Sequence, residues 1–122
     1  MHFKLISKIS LIACIVVLFN TSFHFAQSDL NSRISIGLES LYNFNFKSAN
    51  NIFDNIIKIY PDNPGGYYYK SISHLWFFLD NKSESELDYF LSLTDTAIEK
   101  ATAILEKDSA DLFVLYILGS TM

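Results

Sequence analysis

The sequence predicts an all-α protein. Three observations carry the prediction. Apolar residues recur at helical spacing in one segment after another, polar or proline-bearing breaks separate these segments, and no stretch alternates as a strand would between hairpin turns. The pattern predicts about five helices after an N-terminal apolar helix, in a chain of 122 residues that holds one domain at most.

Taken in order, Gln27 to Ser32 is polar and reads as a frayed lead-in. From Arg33, the residues Ile34, Leu38, Leu41 and Tyr42 fall on one helical face, with Ile36 and Gly37 beside them. Asn43-Phe44-Asn45 interrupts the pattern, and the Asn45 side chain suits an N-cap. A second helix is expected from Phe46 to about Tyr60, with Phe46, Ala49, Phe53, Ile56 and Ile57 along one stripe. Pro61 ends it, because the ring removes a backbone donor and disfavours helix in the preceding residue. Asn63 and Pro64 then form a cap and first helical residue, where the missing N–H costs nothing. The third helix, Pro64 to about Leu79, is dense in aromatics, and Gly65-Gly66 eases its start. After the polar loop Asp80–Ser83, Ser83 and Glu86 are spaced as a capping box. That opens a long fourth helix reaching Glu106 or Lys107. A fifth begins near Ser109, and Leu112–Leu118 is apolar on all sides.

The N-terminus reads differently from the rest. Lys4 and Lys8 precede an apolar run from Ile9 to Phe19, and Ala26 stands before Gln27. This is the pattern of a secretory signal peptide covering residues 1–26. The run is short of the about 20 apolar residues a spanning helix wants. Two alternatives stay open: lipidation of Cys14, since Leu11-Ile12-Ala13-Cys14 has lipobox character, and retention of the segment as an uncleaved membrane anchor. Loss of residues 1–26 leaves seven basic against thirteen acidic side chains, a net charge of −6. Such a surface suits neither nucleic acid phosphates nor anionic lipid. It also leaves no cysteine, so an exported fold at residues 27–122 rests on packing alone.

Internal repetition is the sharpest signal. Gly37, Ala49, Phe53, Ile56 and Pro61 follow one another at separations of 12, 4, 3 and 5 residues. Ser71 lies 34 residues after Gly37 and Gly119 a further 48 after Ser71; Ala97, Ala101 and Ile104 repeat Ala49, Phe53 and Ile56 at the same 48. Small residues at helix crossings let the axes approach to about 8–10 Å. This resembles the tetratricopeptide repeat, a helix–turn–helix unit of about 34 residues with small crossing residues, a large aromatic between hairpins and a closing proline. In particular it is similar to exported bacterial repeat proteins with a turn like Tyr60-Pro61-Asp62-Asn63-Pro64-Gly65. The second unit departs from the pattern: it is longer, has no terminal proline and carries Ala101 where an aromatic is usual, and Arg33 replaces a large residue in the first helix.

The resemblance implies antiparallel helix hairpins stacked as a short right-handed α-solenoid, with units near 31–63, 64–111 (with an insertion) and an incomplete 112–122. It implies a protein–protein interaction scaffold of the cell envelope, periplasmic or extracellular, that binds a peptide or partner helix on its concave face. The residues expected to face that partner are Leu38, Tyr42, Tyr68, Ile72, Trp76 and Tyr116. The apolar Leu112–Leu118 segment has no partner in this scheme, which predicts self-association through it or a longer array. The rival reading is a helical domain enclosing a small apolar ligand among the aromatics of Tyr67–Phe78 and Tyr89–Phe90.

Chemistry is not indicated. Residues 27–122 hold one histidine, His74, expected to be a packed or hydrogen-bonded residue rather than a metal ligand. No phosphate loop or nucleophile motif occurs, and Glu84, Glu86 and Asp88 suit a helix start. No enzyme activity, cofactor, metal or nucleic acid partner is expected.

Overall fold

The computed structural model describes the backbone of residues 2–122 and the side chains of residues 4–18 and 26–122. Five α-helices follow one another: α1 (His2–Tyr42), α2 (Phe46–Ile59), α3 (Pro64–Asn81), α4 (Glu84–Leu105) and α5 (Leu112–Thr121), with no strand among the described residues. The all-α class and its repeat-like succession of helices therefore stand. The chain divides into two units, residues 1–32 and 33–122.

In the first unit, the side chains from Lys4 to Leu18 are all exposed, including Leu5, Ile9, Leu11 and Ile12. Among the described residues no helix is long and apolar enough to cross a membrane. Cys14 is free and exposed. The segment expected before a cleavage site, Asn20–Phe25, lies outside the described side chains. Gln27–Ser32 is not the frayed lead-in that its polarity suggests. It is helical, and Gln27 donates one turn along to Asn31 Oδ1 at 3.3 Å.

In the second unit, α1 ends by a device the sequence hides. Phe44 adopts the left-handed conformation, φ 57°. Its N–H donates to Leu41 O at 2.9 Å, and Asn45 N–H reaches back to Ser40 O at 2.9 Å. This is the paired closure of a Schellman turn, whose left-handed residue is usually glycine. Asn45 then caps α2 as expected, its Oδ1 accepting from Ser48 N–H at 3.2 Å.

The crossing of α1 and α2 is tight because Gly37 has no side chain. A Cβ there would press into the Phe53 ring, 2.8 Å from Cζ. Phe53, Ala49 and Ile56 are fully buried, Ile34 and Leu41 of α1 are buried too, and Ser40 and Ser48 share a hydroxyl hydrogen bond at 3.2 Å. Phe53 also stacks on Tyr69 of α3, centroids 6.1 Å apart.

Asn63 caps α3 as expected, accepting from Gly65 N–H at 2.9 Å ahead of Pro64. Gly65-Gly66 does more than ease this start. A Cβ on Gly66 would lie 2.8 Å from Ile57 Cγ1 and 3.2 Å from the Ile57 backbone nitrogen, so the glycine lets α3 approach the end of α2 closely. The helix continues two residues past Leu79 to Asn81, and Lys82 closes it in the left-handed conformation, φ 59°.

The Ser83–Glu86 capping box does not form. Ser83 occupies the N-cap position without a side-chain cap bond, and its Oγ meets Ser85 Oγ at 2.8 Å. Glu86 turns instead to α3, where its Oε2 lies 2.5 Å from Nδ1 of His74. Further along, Ala97 and Ala101 are fully buried and let α4 close on a cluster with Tyr68, Val114 and Ile117. The fifth helix starts at Leu112 rather than near Ser109, because Asp111 is its cap, accepting from Val114 N–H at 3.1 Å. Nor is it without a partner. Val114 and Ile117 are buried against α3 and α4, while Leu112, Leu115 and Tyr116 point outward. Gly119, in register with Gly37, meets nothing within 4 Å.

Candidate functional site

Three of the helices, α1, α3 and α5, carry the residues expected to face a partner. Leu38 and Tyr42, one turn apart on α1, border a shallow hollow with Ser35, Glu39 and Asn43. Tyr42 is 64 % exposed, and its ring lies 5.7 Å from that of Trp76 on α3. Trp76, Ile72 and Tyr68 lie along α3 at helical spacing and line one pocket of about 310 Å³ with Leu75, Phe90 and Thr94. Tyr116 of α5 meets Tyr68 edge to face at 6.2 Å. The six thus form a series from Leu38 to Tyr116, linked by the Tyr42–Trp76 and Tyr68–Tyr116 contacts. They are not equally available. Tyr42 and Tyr116 are exposed, Leu38, Ile72 and Trp76 half-buried, and Tyr68 is 7 % exposed. Tyr68 therefore belongs to the core beneath the face, contrary to its placement on the sequence.

One residue of this face escapes the sequence reading. Phe44 is 72 % exposed and lies 6.5 Å from Trp76 and 6.2 Å from Phe46, whose ring meets Phe77 at 5.2 Å. It borders a hollow with Trp76, Leu79 and Asp80. A bulky residue in the left-handed region costs roughly 1–2 kcal/mol relative to the ordinary helical one. Here the cost is not offset by burial. The only sequence signal was an aromatic where a helix end favours glycine or asparagine.

The tyrosines behind the face hold their protons tightly. Burial, then the neighbouring hydroxyls of Tyr116, Tyr68 and Tyr42, push the Tyr69 phenol up to about 12. Burial is also the main cause raising Tyr68, with a hydrogen bond from Ser120 opposing it and Tyr116 adding to it. The unfolded phenols ionise near pH 10. A raised folded pKa means that this contribution is fully present below pH ~10 and lost as pH rises through the folded value. Alkaline titration is therefore expected to release the phenolate absorbance of Tyr68 and Tyr69 only above the ordinary phenol range. Stability to urea should fall between pH ~10 and ~12. Replacing Tyr69 with phenylalanine should remove most of that fall, measured by urea melts at the two ends of the window.

The polar groups elsewhere are structural in arrangement. Lys70 pairs with Asp54 at 2.6 Å and Lys100 with the exposed Asp62 at 3.4 Å, contacts of small worth at a surface. His74 is engaged by Glu86 and lies 5.1 Å from the Tyr89 ring. Among the described residues no group of three or more histidine, cysteine, aspartate or glutamate side chains could hold a metal ion. The chain matches no family model, no curated protein and no solved structure.

Proposed function

We propose that this chain is an exported protein-interaction scaffold of the cell envelope, of tetratricopeptide type, whose partner peptide or helix docks across the face that runs from Leu38 to Tyr116. The observation that carries the reading is Phe44. An exposed aromatic held in a strained backbone conformation, beside exposed Tyr42 and half-buried Trp76, adds nothing evident to the core. Strained residues that persist tend to be found at working sites, and rigid aromatics bring large contact area at low entropic cost. Export is supported by Lys4 and Lys8 ahead of the apolar run and by the absence of acids before residue 27.

A second reading has one specific observation in its favour. The pocket between α3, α4 and α5 has aromatic and aliphatic walls and about 310 Å³ of space, the lower end of small-ligand pockets. A small apolar molecule held there would act without a protein partner.

The test is affinity capture from the envelope and exported fractions of the producing cell. Phe44→Gly is the decisive variant. Relief of the left-handed strain should leave stability equal to wild type or higher by about 1 kcal/mol. Retention of the partner should nevertheless drop by about tenfold or more, as for a central aromatic anchor. Tyr42→Ala/Trp76→Ala should lose the same proteins. An unchanged captured set with both variants would remove the docking face.

A further inference from the structure

The hollow beside Trp76 draws its walls from three helices: Tyr68, Ile72 and Trp76 of α3, Phe90 and Thr94 of α4, and Thr121 at the end of α5. Its volume of about 310 Å³ admits one ring or a short branched chain, not a nucleotide-sized cofactor. Among the described residues no charged one lines it, so an ionised group would enter without a counter-ion and lose its hydration.

One polar group in this wall has no structural role to account for it. Thr94 Oγ1 is shielded from solvent and has no hydrogen-bond partner among the described residues. A buried hydroxyl left in that state is costly. Threonine in a helix can escape the cost by donating back to the preceding turn, as Thr96 does to Ser92 O at 3.0 Å. Thr94 does not. Threonine has two common χ1 rotamers in a helix, which give the hydroxyl two directions. The group can thus be turned to a visitor in the pocket, as donor or as acceptor.

The neighbouring hydroxyls are already engaged. Ser71 Oγ donates to Tyr68 O at 2.6 Å and Thr121 Oγ1 to Leu118 O at 3.0 Å, which leaves each oxygen lone pairs to offer. The Tyr68 hydroxyl is hydrogen-bonded with Ser120 and Tyr116. The polar part of the wall can therefore give a proton at Thr94 and take one at Ser71 or Thr121. A hydroxyl is the smallest group that answers both.

We infer that this pocket binds an uncharged, mostly apolar molecule of about one ring's size whose single hydroxyl pairs with Thr94. The inference rests on the small-ligand reading above and adds the polar group that such a ligand must bear. Ile72, Leu75, Trp76 and Phe90 supply the apolar contact, and Thr94 gains the partner it lacks in the empty fold.

The experiment titrates the full chain at neutral pH with phenol, toluene and benzoate, followed by side-chain NMR. In a pocket with apolar walls alone, phenol would lose its hydrogen bonds to water and bind about fivefold or more weaker than toluene. Here phenol should bind at least as tightly as toluene, with shifts at Ile72, Leu75 and Phe90, and benzoate should not bind. Thr94→Val keeps the shape of the wall and should weaken phenol about fivefold or more while leaving toluene unchanged. It should not lower the melting temperature, because the hydroxyl it removes has no partner. Thr94→Ser keeps a hydroxyl and should retain phenol. Phenol binding that ignores Thr94→Val, a fivefold preference for toluene, or benzoate binding as tight as that of phenol each overturns the inference and leaves the small-ligand reading standing. Pocket residues that respond to none of the three compounds remove both.

Discussion

Phe53→Ala is expected to destabilise the second unit by about 3–5 kcal/mol, the range for removing a large buried aromatic side chain. The ring is fully buried, fits against Gly37 of α1 and stacks on Tyr69 of α3. It thus joins three successive helices, and its loss opens a cavity at their common point. No disulfide is available to hold the hairpin closed, since Cys14 is free and is the chain's single cysteine. With total stabilities of single domains at about 5–15 kcal/mol, the variant should melt roughly 15 °C or more below wild type, read by circular dichroism. Phe53→Leu fills much of the cavity and should recover more than half of the loss. A change of only a few degrees for Phe53→Ala would mean that α1 and α2 are held by contacts other than this ring.

That crossing was legible because its chemistry is local and its partners are of opposite kinds. Gly37 is a small residue on an apolar helical face, and Phe53 is a large one eight residues past Asn45, where the Asn43–Asn45 break ends. The caps Asn45 and Asn63 were legible for the same reason: each acts on its own next turn. Where a side chain has two possible partners, spacing cannot decide between them. Ser83 and Glu86 had the spacing of a reciprocal cap, yet the carboxylate pairs with a histidine twelve residues earlier. The polarity of Gln27–Ser32 suggests a frayed lead-in, whereas polar side chains are tolerated on a helix that has solvent beside it.

The aromatic contacts were legible by half. Tyr42 meets Trp76 and Tyr116 meets Tyr68, but Tyr68 does not remain on the surface because the alanines 97 and 101 let α4 close over it. Phe44 could not be found by periodicity, because it lies in a turn and owes its direction to a backbone torsion. A residue whose side chain contradicts its turn position is the more informative signal in such a place. It marks a cost that packing does not return.

Glu86→Ala is expected to cost about 1–3 kcal/mol, more than its position near a helix start would suggest. An ionised carboxylate can only accept, so the 2.5 Å contact places a proton on Nδ1 of His74, donated to Glu86 Oε2. His74 is buried on α3, and the two side chains are 11 % and 17 % exposed. Removing the acceptor strands an N–H in a poorly hydrated place between α3 and α4. Removing both polar partners together does not. Glu86→Leu combined with His74→Phe, which preserves a ring beside Tyr89 at 5.1 Å in the native pair, should therefore recover most of the stability lost by Glu86→Ala. Glu86→Gln keeps an acceptor oxygen and should fall between wild type and the alanine variant. Urea midpoints at constant slope measure all three. If the alanine and double variants are equally destabilised, the contribution comes from side-chain packing, and the hydrogen bond between the helices is incidental. If the double variant stands well above the single one, the pair acts as a register pin that fixes α4 against the helix carrying Tyr68 and Trp76, and so keeps the walls of the aromatic pocket in place.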